Sequence, residues 1–285
     1  MAKKLTIFGD ASVGGGEFGK VRVFGDGIIQ TDVIAKSIKV FGSATFYGSV
    51  NANKVQIYGS VVFNEAVNCG QVKLYGAAVF KKSAKIEQLV VRGAGEFLQD
   101  AVVETVKNSG ALEVGGSLMA KEVKSYGVIQ GKGKIKVETL LSAGVLETKG
   151  ELEGERITIK GAIHHANLIN GEEILIELNE RCQCHSIGAS KLVVALNKRK
   201  RRTKFTIYKG VEKQEVVDSD DVHPFQRVLV AHEIEGDQLE LMSTHAKVVR
   251  GDMVNIGAHS KIDVVEYSTS LKIDESAEIL QQVRN

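Results

Sequence analysis

The segment "RCQCHS", residues 181–186, brings together two cysteines and a histidine, which are residue types that bind zinc. Structural zinc sites usually space a cysteine pair two to four residues apart and add a second pair of ligands, whereas a single residue separates Cys182 from Cys184. Side chains two apart on a strand share one face, and a buried cysteine behaves as a small hydrophobe. We therefore predict reduced, buried thiols, no metal site and no cofactor.

The densest charge in the chain is a basic run between residues 198 and 204. Clustered lysines and arginines gain about 1 kcal/mol each near an anionic membrane surface, so this run is a candidate for contact with a membrane or with a partner protein. Nucleic acid is a weaker candidate because no aromatic platform or recognition helix accompanies the charges. A solvated loop is the remaining alternative. The predicted contact residues are Lys198, Arg199, Lys200, Arg201, Arg202 and Lys204.

Catalytic chemistry has less support in the sequence. The segment "VGGGEFGK", residues 13–20, is rich in glycine but lacks the spacing of a phosphate-binding P-loop. An enzyme or carbohydrate-binding protein would be favoured if residues 197–227 covered a groove and brought Asp218, Asp220 and Asp221 to it. "IHHAN" contains His164 and His165, for which a packed or corner position is a simpler explanation than a pair of metal ligands.

Glycine marks the elements that must position these residues, because it recurs every 17 residues from Gly25 to Gly161, and Gly9 precedes this series by 16. A fixed period of this length indicates a repeat architecture. Four residues before each glycine stands an aliphatic residue, from Leu5 to Ile157. The other apolar positions of each unit lie two apart, which is the alternation of a β-strand and not the period of a helix.

When units of this length are aligned so that equivalent residues lie directly above one another, they stack in parallel. The rise is then about 4.8 Å per turn. Each unit then holds about three short strands, with glycine at one corner because positive φ or close backbone approach is cheap there only for glycine. The predicted fold is an all-β parallel β-helix, a solenoid of triangular cross-section with about 17 residues per turn and about 14 turns. Phe46, Phe63, Phe80 and Phe97 are predicted to stack in its core.

The pattern divides the chain into three parts. Residues 1–196 form the first set of turns, residues 197–227 are a basic and then acidic excursion from the side of the solenoid, and residues 228–285 resume the turns. The excursion contains the only proline, Pro224.

The glycine-punctuated turns that fill the chain resemble those of the bactofilins, the polymer-forming bacterial cytoskeletal proteins. Residues 234–267, "IEGDQLELMSTHAKVVRGDMVNIGAHSKIDVVEY", are similar to the C-terminal part of the longer bactofilin-like proteins of Gram-positive bacteria. The resemblance implies a right-handed helix that polymerises end to end without nucleotide. It also implies a scaffold for cell-shape, cell-wall or motility machinery, often at the inner face of the membrane. The chain departs from the family in its near lack of tails, its excursion, and the absence of an aromatic residue after Tyr267.

Two further surfaces are candidates for assembly. The end turns would expose a core and unpaired backbone, and their predicted contact residues are Leu5, Ile7, Val13, Leu271, Ile273 and Ile279. One residue before the corner glycines stands an outward aromatic column, which is either a lateral binding surface or a cover for the glycine backbone. This predicted ladder comprises Phe8, Phe24, Phe41, Tyr58 and Tyr75. The predicted partner is the chain itself, as a homopolymer.

Charge and segment composition suggest a location in the cell. The formal net charge is +2, so the overall electrostatic field of the protein does not indicate binding to nucleic acid or lipid. The N-terminus lacks the apolar run of a secretory signal, and no apolar run is long enough to span a membrane. We expect a cytoplasmic protein, with the inner face of the membrane or a membrane-protein complex as a further partner.

Overall fold

A computed structural model describes residues 3–164, 166–197 and 227–285, together with the backbone of residues 202–208 and 211–217. The described residues form strands and turns and contain no helix. The strands lie in a 16-stranded sheet, a 10-stranded sheet and a separate two-stranded sheet.

The 16-stranded sheet runs along the whole molecule. Its members are β1 (Lys4–Ile7), β3 (Gly16–Val23), β5 (Val33–Val40), β7 (Val50–Ile57), β9 (Val67–Leu74), β11 (Ala84–Val91), β13 (Ala101–Asn108), β15 (Leu118–Ser125), β17 (Ile135–Ser142), β19 (Glu151–Ile159), β21 (Ala166–Leu178), β22 (Cys182–Leu196), β25 (Leu229–Leu241), β26 (Thr244–Ile256), β27 (Lys261–Ile273) and β28 (Glu278–Arg284).

The 10-stranded sheet accompanies the first part of the chain. Its members are β2 (Ala11–Val13), β4 (Asp26–Ile29), β6 (Ser43–Phe46), β8 (Ser60–Phe63), β10 (Ala77–Phe80), β12 (Ala94–Phe97), β14 (Ala111–Val114), β16 (Val128–Gly131), β18 (Val145–Thr148) and β20 (Ala162–His164). β23 (Arg202–Tyr208) and β24 (Val211–Val217) pair antiparallel in the third sheet.

Every strand of the two large sheets pairs in parallel with the strand one coil away. Val33 lies beside Val50, and Val50 lies beside Val67, so that equivalent residues stack at intervals of 17. The prediction of an all-β parallel β-helix with about 17 residues per turn is confirmed. The rod, as we call the stack of coils, has about 15 turns. The sequence pattern predicts about 14 turns, one fewer than the structure has.

Side-chain direction divides each coil into three faces. In β5, Val33 and Ala35 are buried and so are Ile38 and Val40, whereas Lys36 and Ser37 between them both point outward. Two consecutive outward residues interrupt strand alternation and turn the chain by a corner. Together with the short strand β6, the two halves of β5 make three faces around one core, as the spacing of apolar residues predicts.

Close backbone contact explains the glycine corner. A Cβ atom added to Gly59, Gly76, Gly93, Gly110, Gly127 or Gly144 would lie 2.0 Å from the carbonyl oxygen of the glycine one coil earlier. Real Cβ atoms do not approach so closely, and the contacted atom is backbone that cannot move aside. Among described glycines only Gly9 and Gly16 have a positive φ. Of the two reasons that the sequence offered for glycine, close approach therefore applies along this column.

The glycine corner moves to another column in the second half of the rod. Gly154 pairs with Gly171, Ala189 with Gly236, and Gly236 with Gly251. A Cβ atom on Gly236 would lie 2.0 Å from the carbonyl oxygen of Ala189. The second sheet ends at β20, and the strands β21, β22, β25, β26 and β27 of the large sheet lengthen to 13 or 15 residues. This second glycine series is present in the sequence, but the prediction followed only the regular series that ends at Gly161.

The volume of the core is maintained because a small residue in one buried column is accompanied by a large residue in the neighbouring column. In β6 and β10 a buried alanine accompanies a buried phenylalanine, namely Ala44 with Phe46 and Ala78 with Phe80. In β16 the order is reversed, and Ile129 accompanies Gly131. The predicted core ladder from Phe46 to Phe97 is confirmed, with ring centroids 4.3–5.2 Å apart. Close packing of protein interiors requires such compensation.

The polar residues that interrupt the core column are also buried. The amide of Asn108 donates to Ser125 Oγ at 3.1 Å and to the carbonyl oxygen of Val128 at 2.8 Å. Its own Oδ1 accepts from the backbone N–H of Gly110 at 3.1 Å. Asn108 thus meets most of its hydrogen-bonding capacity inside the rod, where an unpaired polar group would be costly.

The rod continues across the excursion. β22 ends at Leu196, and β25 begins at Leu229, yet the two strands pair directly, with Leu192 beside Leu239. Within the excursion the backbone of β23 and β24 forms a hairpin, which the sequence analysis treats only as a loop. The chain therefore leaves and rejoins the rod at one corner without breaking the core.

We expect Gly76→Ala to destabilise the rod strongly, because the added methyl group meets the carbonyl oxygen of Gly59 at 2.0 Å. A loss of about 3 kcal/mol or more is reasonable for a backbone clash of this kind. Urea unfolding followed by circular dichroism, with hydrogen exchange to localise the loss, measures it. Gly14→Ala is the matched control, since no atom lies within 4 Å of its added Cβ. Equal midpoints for the two variants would refute the close-approach explanation.

Candidate functional site

The first coil presents an edge strand but a largely closed core. β1 pairs only with β3, and β2 pairs only with β4, so one backbone edge of each strand is unpaired. Leu5 and Val13 are half-buried, whereas Ile7 is only 3% exposed. The Ile7 side chain packs onto the next coil, where its Cδ1 would lie 3.0 Å from a Cβ on Gly27. Of the predicted contact residues at this end, Ile7 is therefore buried and does not form part of the exposed surface.

The last coil opens the core. Val254 and Ile256 in β26 are 2% and 0% exposed, but their neighbours in β27 differ. Leu271 is half-buried and Ile273 is 40% exposed. Ile279 in β28 is half-buried, and Leu280 is 81% exposed. β28 pairs only with β27, so this end combines an unpaired strand with uncovered apolar side chains.

The outward aromatic column forms a continuous stack. The rings of Phe8, Phe24, Phe41, Tyr58 and Tyr75 have centroids 4.8–5.0 Å apart and interplanar angles of 1–4°. Their exposed fractions run from 74% at Phe8 to 36% at Tyr75. The guanidinium of Arg92 lies 5.4 Å from the Tyr75 centroid and covers the last ring. The rings thus stack on each other while their edges remain in contact with solvent.

The predicted basic contact lies outside the residues whose side chains the structure describes. Lys198, Arg199, Lys200 and Arg201 fall outside the described residues, and only the backbone of Arg202 and Lys204 is described, in β23. Asp218, Asp220 and Asp221, which the enzyme alternative requires, also lie outside them. The membrane or partner contact remains a prediction.

Strand alternation separates the cysteines from their neighbouring histidine. Cys182 and Cys184 are buried, and the Cys182 thiol donates to the carbonyl oxygen of Gly161 at 3.5 Å. Burial raises the pKa of Cys69 and Cys182 to about 11 and that of Cys184 to about 12. These thiols stay protonated at neutral pH, whereas the thiolate is the metal ligand. His185 points outward and stacks on His232, with ring centroids 4.9 Å apart.

Across the described residues, no group of three or more His, Cys, Asp or Glu side chains is arranged to hold a metal ion. His164 is exposed at the end of β20, and His165 falls outside the described residues.

A groove that the sequence analysis did not identify follows one corner of the rod. It has a volume of about 1180 Å³ and runs from Asn68 to Asp237. One wall carries Glu138, Glu155 and Glu172 on successive coils. The sequence signal was a glutamate recurring every 17 residues, which is equally typical of a solvated face.

Ion pairs between coils fix the charged side chains near this groove. Glu153 accepts from Lys134 at 2.6 Å and from Lys136 at 2.7 Å. These two hydrogen bonds hold the pKa of Glu153 at about 2. Glu153 therefore stays ionised at neutral pH, which suits a structural ion pair and not a general acid.

Comparison with known proteins gives one short similarity. No protein-family model matches the chain, and no solved structure matches it. The chain is 50% identical over 54 residues to the uncharacterized protein YhbE of Bacillus subtilis (strain 168). The matched segment covers 19% of this chain and 23% of YhbE, so the similarity extends over about a quarter of that protein. Its length corresponds to about three coils of the rod.

In the part of the chain that the structure describes, no helix has the length and hydropathy needed to cross a membrane.

We expect the three native cysteines to resist maleimide in the folded protein at neutral pH, because burial keeps each thiol protonated. The raised pKa values stabilise the fold below the usual thiol value of 9.0, and this contribution is lost as pH rises towards 11–12. Mass spectrometry after brief labelling should find no adduct in native protein and three in denaturant. Rapid labelling of the native protein would contradict the buried arrangement.

We expect the carboxyl group of Glu153 to titrate near pH 2. A lowered pKa favours the folded state above the usual value of 4.5, and that contribution is lost as pH falls from 4.5 to about 2. Carbon-13 NMR of the side-chain carboxyl measures the midpoint. Lys134→Ala combined with Lys136→Ala should raise it, whereas Lys121→Ala, which removes the pair with Glu104, should not. An unchanged midpoint in the double variant would show that other groups lower the pKa.

Proposed function

We propose that this chain is a non-enzymatic scaffold that assembles end to end through its β-helix without nucleotide, as a bacterial cytoskeletal protein similar to the bactofilins. The single observation that carries the proposal is the open core of the last coil. There Ile273 is 40% exposed, whereas Ile256 in the same column is fully buried. A second rod placed on this coil would continue the column and bury the side chain.

The backbone supports the same arrangement. An edge strand presents unpaired N–H and C=O groups that favour pairing with another chain. β1 and β28 are the edge strands of the large sheet, and each lies next to partly exposed apolar residues. Solenoids are stabilised by contacts between neighbouring repeats, so a joint between two rods would use the same interactions as one coil on the next.

The remaining parts of the proposal rest on the sequence. The scaffold would act in the cytoplasm, supporting cell shape, the cell wall or motility. The basic run from Lys198 to Lys204 would contact the inner face of the membrane or a membrane-protein complex. The similarity to YhbE adds no activity, because that protein is itself uncharacterized.

We expect purified protein to form filaments or sheets in negative-stain microscopy without nucleotide, and Ile273→Lys or Ile279→Lys to prevent this. Burial of such an apolar side chain contributes about 1.5–3 kcal/mol, so each change should raise the concentration needed for assembly at least about tenfold. Sedimentation of assembled protein measures that concentration.

Ile34→Lys is the matched control because Ile34 is an outward isoleucine, 52% exposed, on the third coil, where both neighbouring coils are present. It should assemble like the unchanged protein. Single short rods at high concentration, or equal assembly by the end variants and the control, would refute end-to-end joining. Circular dichroism of each variant verifies that the rod is folded.

A further inference from the structure

We propose that the aromatic ladder and the sheet face beside it pair two rods side by side, the partner being a second copy of this chain. The ladder is the stack from Phe8 to Tyr75. The sheet face consists of the outward residues of β6, β8 and β10, namely Ser43, Thr45, Ser60, Val62, Ala77 and Val79. The ladder begins at Phe8 on the first coil, but the sheet face lies on the third to fifth coils, so the inference does not depend on end-to-end assembly.

The stacking geometry decides what the ladder can bind. Adjacent rings are nearly parallel, with interplanar angles of 1–4°, so each inner ring has both faces covered by its neighbours. Sugars and nucleobases bind aromatic side chains through the open π face, which the inner rings do not offer. What remains exposed is a row of ring edges. Such edges fit against another apolar surface, and exposed aromatic residues are enriched in protein interfaces.

The adjoining face is uncharged. β6, β8 and β10 contain no charged residue, whereas β4 carries Asp26 and β12 carries Glu96. Two identical copies of a charged face would repel each other on contact, and this face avoids that cost. Later strands of the same sheet place Glu113 and Glu147 in the column that holds Thr45 and Val62. The uncharged face therefore covers the last three coils of the ladder and ends with it.

The repeat distance favours a second rod as the partner. The rings recur every 4.8–5.0 Å, which matches the spacing of about 4.8 Å between strands of any stacked sheet. A partner with the same spacing can give every coil the same contact, and an identical patch can pair with itself about a two-fold axis. An isolated extended peptide advances about 3.3 Å per residue and falls out of step.

The size of the surface fits a weak pair that assembly would reinforce. Six residues, Phe41 to Phe46, span about 20 Å at strand rise, and the three coils of the uncharged face span about 14 Å. The contact is then about 300 Å² per partner, or about 600 Å² in total, which is below the size of a stable specific interface and fits a transient pair. A single pair should dissociate readily, whereas many pairs along joined rods would hold together.

Site-specific cross-linking tests this arrangement. Ser43 lies outward on the central coil of the ladder, so Ser43→Cys places a thiol in the middle of the proposed interface. Native cysteines are buried and do not compete. Ala111→Cys is the matched control because Ala111 is exposed in the same column, on the charged part of the sheet. We expect a short bis-maleimide to convert several-fold more of the Ser43→Cys protein into covalent dimer.

Substitutions in the ladder complete the test. Phe41→Lys should lower dimer formation by Ser43→Cys to the level of the control. Tyr126→Lys, in the same column but 66% exposed and beyond the stack, should have no effect. Thr45→Lys tests the sheet face without disturbing a ring, in case Phe41→Lys unfolds. Each of these proteins should also carry Ile279→Lys, which is expected to prevent joining of the ends. The dimers that are measured then come from lateral pairing. Equal dimer yields from Ser43→Cys and Ala111→Cys, or yields unaffected by both Phe41→Lys and Thr45→Lys, would overturn the proposal.

Discussion

The parallel backbone pairing of each coil with the next is the constraint on which the structure depends. In the first half of the rod, it places each residue directly beside the residue that comes 17 positions later in the chain, as with Val33, Val50 and Val67. At the corner this pairing brings successive glycines so close that a carbonyl oxygen occupies the space of a side chain. The core, the ladder and the cross-coil ion pairs are consequences of that stacking, because each is a column of side chains held at strand spacing.

Stacking also means that side chains of one chemical type are repeated along the rod and are not brought together at a single site. Aromatic residues become a stack, lysine and glutamate on neighbouring coils become ion pairs such as Lys136 with Glu153, and Arg250 bridges Glu233 and Glu266 across three coils. The cysteines and histidine of "RCQCHS" illustrate the opposite limit. Alternation sends Cys182 and Cys184 inward and His185 outward, so residues adjacent in sequence are separated by the sheet.

The sequence predicts the fold because its period is regular over the first half of the chain. The aliphatic column from Leu5 to Ile157 and the core ring stack both follow from counting residues. The second half was harder to predict because coil length varies there. Equivalent positions lie 18 apart from Ile169 to Ile187 and 15 apart from Leu229 to Thr244. The burial of Ile7 depends on its contact with Gly27 in the next coil, and the groove depends on side chains that many successive coils bring together. Neither feature can be deduced from the spacing of residue types along the sequence.

The excursion between Asn197 and Arg227 leaves the stack and returns to it with its two ends held together. The Arg227 guanidinium donates to the carbonyl oxygen of Asn197 at 3.4 Å, while β22 and β25 close beneath it. Loop-closure theory gives a cost of only about 0.6 kcal/mol of chain entropy for each doubling of the length of a segment whose ends are held together. The corner is therefore a tolerant insertion point, where evolution or an experimenter can exchange one appended module for another without re-engineering the rod that displays it.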